Sequence, residues 1–310
     1  MNKPSLEDLF ESRINYPDFD AKDRLSKLVG LDDQISRLTK ILSLLINSES
    51  LKAWADKYHP EAYSLVDTVL RRPPLIIFSG DVGSGKSELA MTIGDSVARQ
   101  EKIDITLLPL SLSSRGQGRV GEMTQLVTAA FEHAVTEANK LKSPEGKARG
   151  GVILLIDEAD ALAQSRESSQ MHHEDRAGVN AFIRGIDRIA NEQLPAAIIM
   201  CTNRLGALDP AIKRRAADIM EFKRPSAELR AFVLSNTFSP LGFSTVDIQS
   251  LVDATGADDE VDYGFTFSDL TQRLIPSIVL DAYPTHKVSP DKALVIAKDM
   301  NATPIFMEQV

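Results

Sequence analysis

"FSGDVGSGKSELA", residues Phe78 to Ala90, sets three glycines and a lysine between two apolar ends. Read from Gly80 to Ser87, it fits the pattern G-x-x-x-x-G-K-[ST] at every fixed position. Ahead of it, Leu75-Ile76-Ile77-Phe78 is a short apolar run after Pro73-Pro74, which predicts a buried strand. Behind it, Leu89, Ala90 and Ile93 continue at helical spacing. The context is strand, loop, helix.

That context explains the composition of the loop. Glycines let backbone N–H groups converge on an anion with no side chain in the way. The N-terminus of the following helix adds its positive dipole end. The segment Gly80, Asp81, Val82, Gly83, Ser84, Gly85, Lys86, Ser87 and Glu88 is therefore expected to bind the phosphates of ATP. Lys86 would reach the β- and γ-phosphates, and the Ser87 hydroxyl would bind Mg²⁺.

The rest of the chain sets bounds on this reading. Its 310 residues suffice for about two domains. Apolar residues make up 43% and charged residues 25%, ordinary for a globular protein. A net charge of −9 argues against a protein whose main task is to coat nucleic acid. One cysteine, Cys201, excludes an internal disulfide and reads as a small buried hydrophobe. The N-terminal "MNKPSLEDLF" lacks the apolar core of a signal peptide, and no aliphatic run is long enough for a bilayer. A cytoplasmic protein is expected.

Residues 1–23 read as a short polar arm. Ile35, Leu38, Ile41, Leu42, Leu45 and Ile46 predict a core-facing helical stripe, and Trp54 and Tyr58, four apart, are expected to pack nearby. Apolar strands are predicted at the run before the loop, "IDITLLPL", "GGVILLIDEAD", "AAIIMCTN" and "DIMEF", with helices between them. Helices separating apolar strands imply an α/β domain with a parallel five-stranded sheet covered on both faces. From Ser226 the pattern turns helical near 226–236, 245–254, 267–281 and 290–299. The expected division is an arm at 1–23, an α/β domain at 24–225 and a small helical domain at 226–310.

Acids end the third strand. Asp157 follows "VILLI" and so sits at the strand's C-terminal end, where ligands bind in open α/β sheets. There it can hold Mg²⁺, and Glu158 can orient and polarise an attacking water. Thr202 and Asn203 end the next strand, and the Asn203 amide can help position that water. Lys213, Arg214 and Arg215 close a short helix. They read either as complements to its dipole or as an arginine finger reaching a neighbouring subunit.

"VGLDDQISRL", "GDVGSGKS", "LLIDEAD", "TNRLGALDPAIKRRAAD" and "GFTFSDLTQRL" occur in the order and spacing of AAA+ ATPases. The chain resembles that family over roughly residues 24–299. The resemblance implies a homo-hexameric ring with ATP and Mg²⁺ between subunits. It implies that Val29, Gly30 and Leu31 touch adenine, that Glu158 is the base and Asn203 the γ-phosphate sensor, and that Arg214 or Arg215 completes a neighbour's site. Within the family, "FIRGIDRI" and "RAADIMEFKRPS" look most like pachytene-checkpoint-type remodellers of HORMA-domain proteins. The compact size resembles the bacterial form found in CBASS antiphage operons. A HORMA-domain client is thus implied, with no membrane and no nucleic acid.

Three departures stand out. An arm of 23 residues cannot form an adaptor-binding domain, so the client is expected to bind directly. Ser268 stands where relatives carry a small-domain arginine; Arg273, about one turn later, is the candidate substitute. In "SSRGQGRVGE", Arg119 replaces the usual aromatic of the central-pore loop, so Arg119 and Val120 are expected to grip the client. Competing readings are a clamp- or helicase-loader subunit, a protease-coupled unfoldase, and a switch that uses ATP only for assembly. His172-His173 with Glu174 and Asp175 read as a solvated loop rather than a metal site.

Overall fold

The computed structural model describes residues 9–112, 122–143, 147–162, 173–257 and 261–305. They form two compact units. The first holds residues 1–27, 32–79 and 87–221; the second holds 28–31, 80–86 and 222–310.

The first unit is built on a sheet of six strands: β1 (Ile14–Tyr16), β2 (Leu75–Gly80), β3 (Asp104–Ser111), β4 (Gly150–Asp157), β5 (Ala196–Thr202) and β6 (Ala216–Phe222). Their order is β1-β3-β4-β5-β2-β6. β3, β4, β5 and β2 run parallel, in registers that pair Ser111 with Asp157, Val152 with Ala196, and Ser79 with Thr202. β4 and β5 are apolar almost throughout and buried almost throughout. Such unbroken runs fit strands covered on both faces.

Helices supply that cover: α1 (Phe19–Ser26), α2 (Asp32–Ile46), α3 (Ser48–Tyr58), α4 (Tyr63–Leu70), α5 (Lys86–Glu101), α6 (Glu122–Leu141), α7 (His173–Asn191) and α8 (Pro210–Lys213). Leu38, Ile41, Leu42 and Ile46 of α2 are buried, as the stripe predicts. Phe131 of α6 meets Phe182 of α7 edge-on at 5.4 Å. Cys201 is buried in β5. No helix among the described residues is long and apolar enough to cross a membrane.

Two expectations are corrected here. The arm contributes to the sheet: Ile14–Tyr16 pairs antiparallel with β3, giving six strands where five parallel ones are expected. Three residues are too few to show a period of two. The strand is anchored instead by Tyr16, whose buried hydroxyl donates to the Met91 carbonyl. Second, Trp54 and Tyr58 are exposed, at 44% and 58%. Trp54 packs against His59 at 4.9 Å rather than into the core. On α3 the buried residue is Ala55, next to Trp54.

The second unit gathers α9 (Ala227–Phe238), α10 (Thr245–Ala254), a π-helical turn at Asp269–Leu274, α11 (Ile275–Ala282) and α12 (Pro290–Asp299). Leu234, Phe238, Phe243, Leu251, Leu270 and Leu274 form its core, with Phe238 and Phe243 stacked at 4.9 Å. Ser226 caps α9, and Ser244 with Asp247 forms a capping box on α10.

Candidate active site

The glycine loop belongs to the helical unit. Gly80, Gly83 and Gly85 all have positive φ, at +148°, +76° and +96°. At Gly80 a Cβ would lie 2.0 Å from the Phe222 carbonyl oxygen; at Gly83 it would lie 2.7 Å from Ser268 Cβ. Both positions therefore exclude a side chain twice over, by backbone conformation and by close approach. The Ser268 amide donates to the Gly83 carbonyl at 3.1 Å. Ser84 Oγ donates to the Asp81 carbonyl at 2.8 Å.

Lys86 is only 7% exposed. Its ammonium donates to the carbonyls of Gly80 and Asp81, both at 2.7 Å. A buried ammonium needs hydrogen-bond partners, and here the loop's own carbonyls supply them. Around Gly85 a Cβ would meet Leu31 at 3.5 Å, which brings the Val29-Gly30-Leu31 stretch to the loop. Gly30 itself has φ +71° and lies against Leu229, Leu31 is buried, and Val82 is 51% exposed. These features fit a nucleotide: a cradle that a Cβ would fill, a buried cation and an adjoining apolar residue.

Arg224 fixes the loop from the other side. Its Nε donates to Asp81 Oδ2 at 2.7 Å, its Nη1 donates to the Gly264 carbonyl at 2.7 Å, and its guanidinium lies 4.7 Å from the Tyr263 ring. Arg273 is engaged elsewhere, donating to Asp269 Oδ1 at 2.6 Å and to Thr303 Oγ1 at 3.5 Å. Ser268, not Arg273, meets the glycine loop.

The sheet unit carries the remaining groups. Ser87 is the second residue of α5, and the Glu88 carboxylate is gripped in bidentate fashion by Arg24 at 2.7 and 2.9 Å. Asp157 ends β4, and its Oδ1 accepts from the Glu158 amide at 2.8 Å. Glu158 is exposed and has φ +51°, a left-handed conformation that non-glycine residues adopt rarely. At the end of the neighbouring strand, Thr202 and Asn203 are bound to Asp160.

The cationic cluster divides into three. Lys213 caps the carbonyls of Leu205 and Gly206 at 3.2 and 3.3 Å. Arg215 forms a bidentate pair with Asp187 of α7 at 2.7 and 2.9 Å. Arg214 is exposed at the C-cap of α8. Arg119, Val120 and His172 lie outside the described residues.

Sequence reading missed Asp160, Asp187 and Arg224. Asp160 has a local signal, three residues after Asp157 in "DEAD". Asp187 and Arg224 meet partners 28 and 143 residues away, which no local spacing reveals.

Residues 76–224 match the family model of the AAA ATPases, the ATPase family associated with various cellular activities. Over 99% of both chains, the sequence is 63% identical to CD-NTase-associated protein 6 of Escherichia coli strain MS 115-1. The chain belongs to the AAA ATPase family. Within that family its resemblance to the compact bacterial HORMA-protein remodellers is borne out by the solved structures. A chain in the HORMA:CdnC:Trip13 complex of E. coli MS115-1 is 62% identical, with a TM-score of 0.90, and the match covers 99% of this chain and 100% of that one. Trip13 from Rhizobiales is 55% identical, with a TM-score of 0.74 over 96% and 100%. The six-stranded, mostly parallel sheet with its helices is the AAA fold.

Proposed function

We propose that this AAA ATPase binds ATP and Mg²⁺, hydrolyses ATP as a homo-hexameric ring, and uses the energy to unfold or disassemble a HORMA-domain protein that controls CBASS-type antiphage signalling. The observation that carries this reading is the full-length likeness to a chain of the HORMA:CdnC:Trip13 complex.

In this reading Lys86 exchanges its two carbonyl partners for phosphate oxygens, and the glycine loop supplies backbone donors around them. Val29, Gly30 and Leu31 face the base. Ser87 and Asp157 would hold Mg²⁺, which would offset the charge of the phosphates. Glu158 accepts the proton of the attacking water at its carboxylate, and Asn203 orients that water. Arg214 and Arg215 act on a neighbouring subunit's site, and Arg119 with Val120 grips the client in the ring's pore.

Nucleotide titration beside steady-state hydrolysis tests the ATPase part. Lys86→Ala is expected to weaken ATP binding itself. Glu158→Gln is expected to keep binding and lose turnover, because the binding groups remain while the base is gone. Full turnover by the Glu158 variant would remove its role as base.

A further inference from the structure

The run "DEAD" places three carboxylates within four residues, and the proposed chemistry uses two of them, Asp157 and Glu158. The third, Asp160, is the second residue of the 3₁₀ turn Ala159–Leu162 that follows β4. Its carboxylate crosses to the end of β5 and collects three donors there. Thr202 Oγ1 donates to Oδ1 at 2.5 Å, the Asn203 amide N–H donates to Oδ1 at 3.0 Å, and Asn203 Nδ2 donates to Oδ2 at 3.0 Å. Thr202 Oγ1 in turn accepts from the Arg204 amide at 3.0 Å. All of these groups lie in the sheet unit.

The chemistry of the pair is one-sided. An ionised carboxylate only accepts hydrogen bonds, whereas a primary amide has a donor end and an acceptor end. Facing Asp160, Asn203 must present its NH₂. The amide is planar, so Oδ1 is then turned away from Asp160, and one N–H of the NH₂ group remains. Without the carboxylate, the two amide orientations would differ little in energy, as they do for amides that lack a discriminating partner.

We infer that Asp160 is a positioning residue. It sets the Asn203 amide so that an acceptor oxygen is offered to the attacking water. This rests on the ATPase reading and deepens it. The role asks for what Asp160 has: a half-buried carboxylate, three donors from two consecutive residues, and a place one turn after the strand that carries Asp157. Thr202 is the second member of the device. Its hydroxyl spends its proton on Asp160 and its lone pair on the Arg204 amide, which fixes the backbone on both sides of Asn203.

The test is kinetic, on the full chain. Asp160→Asn is nearly isosteric, but it replaces one acceptor oxygen with a donor, so it can no longer receive all three hydrogens. Asp160→Asn and Asp160→Ala are expected to lower kcat for ATP by at least about 10-fold, within the range that a positioned proton-transfer group contributes. KM and the affinity for ADP are expected to stay within about two-fold, since nothing that holds nucleotide has changed. Asn203→Ala is expected to lower kcat similarly, and the Asp160→Ala/Asn203→Ala pair to lose no more than Asn203→Ala alone, because the two act as a unit. A merely structural Asp160 would instead lower the melting temperature and leave the kcat of folded enzyme intact. If Asp160→Ala does not fold, Asp160→Asn and Thr202→Val carry the same comparison. Turnover within two-fold of wild type, or losses that multiply in the double variant, would overturn the inference while leaving the ATPase reading in place. A wild-type chain that hydrolyses no ATP would overturn that reading, and this inference with it.

Discussion

Arg224 and Asp81 form an ion pair at 2.7 Å that ties the second residue of the glycine loop to the segment after β6. Their side chains are 12% and 24% exposed, so water screens the pair less than an exposed one. Arg224 is also held by the Gly264 carbonyl and lies over Tyr263, which leaves it little freedom to follow a loop that changes shape. Arg224→Met is therefore expected to weaken ADP binding roughly 5- to 10-fold, about the net worth of one ordinary hydrogen bond. Asp81→Asn is expected to act in the same direction, and the double variant to lose less than the two single losses combined. Calorimetric titration of ADP measures all three, and unchanged affinity in both single variants would show that the pair does not shape the loop.

Asp269 gives the helical unit an acid-sensitive joint. Burial pushes its carboxyl up. Hydrogen bonds from the Thr303 hydroxyl, the Thr266 and Thr303 amides and Arg273 outweigh that and hold it at about 2. A carboxyl whose folded pKa lies below its unfolded value stabilises the fold fully above the unfolded value, near 3.9, and loses that contribution as pH falls toward 2. At pH 7 the contribution is complete, on the order of 2 kcal/mol. Asp269→Asn is expected to lower the melting temperature at pH 7 by several degrees. The gap from wild type should close as pH drops from about 4 to 2. A gap independent of pH would assign the effect to packing.

Arg215 is held within its own chain by Asp187, the acid of "GIDRI". That anchor makes Asp187 part of any account of the arginine finger. The Arg214→Ala/Arg215→Ala double variant is expected to lose most turnover, since a finger is worth about 10³–10⁵ in rate. Mixed with Glu158→Gln subunits, it should regain some, because mixed rings contain sites with both an intact base and an intact neighbour's arginines. Asp187→Ala is expected to lower turnover less than the double variant. No regain under proven subunit mixing would count against action between subunits.

Much of the fold is legible in local pattern. The glycine loop shows in eight consecutive residues, and β4 and β5 show as apolar runs because both faces of the sheet are covered. The helices of the second unit follow from periodicity. What escapes pattern is either too short or too distant. β1 spans three residues and is defined by its pairing with β3. Trp54 is apolar yet lies on the outer side of α3, and its hydrophobicity alone does not tell which way the helix turns. In the site, Asp157 and Glu158 are visible as the end of a strand. Asp160 is visible in the same run, but its partners show only once β5 lies beside β4 and brings Thr202 and Asn203 within reach.

The central claim is that ATP hydrolysis at Glu158 drives remodelling of a HORMA-domain protein. The direct measurement combines the purified chain, ATP, Mg²⁺ and a preassembled complex of a HORMA-domain protein with its bound partner, and follows release of the partner over time. Wild type is expected to release it in an ATP-dependent way, and Glu158→Gln is expected to bind the complex without releasing it. Release at the wild-type rate by Glu158→Gln, or no release by a wild type that hydrolyses ATP, would contradict the account.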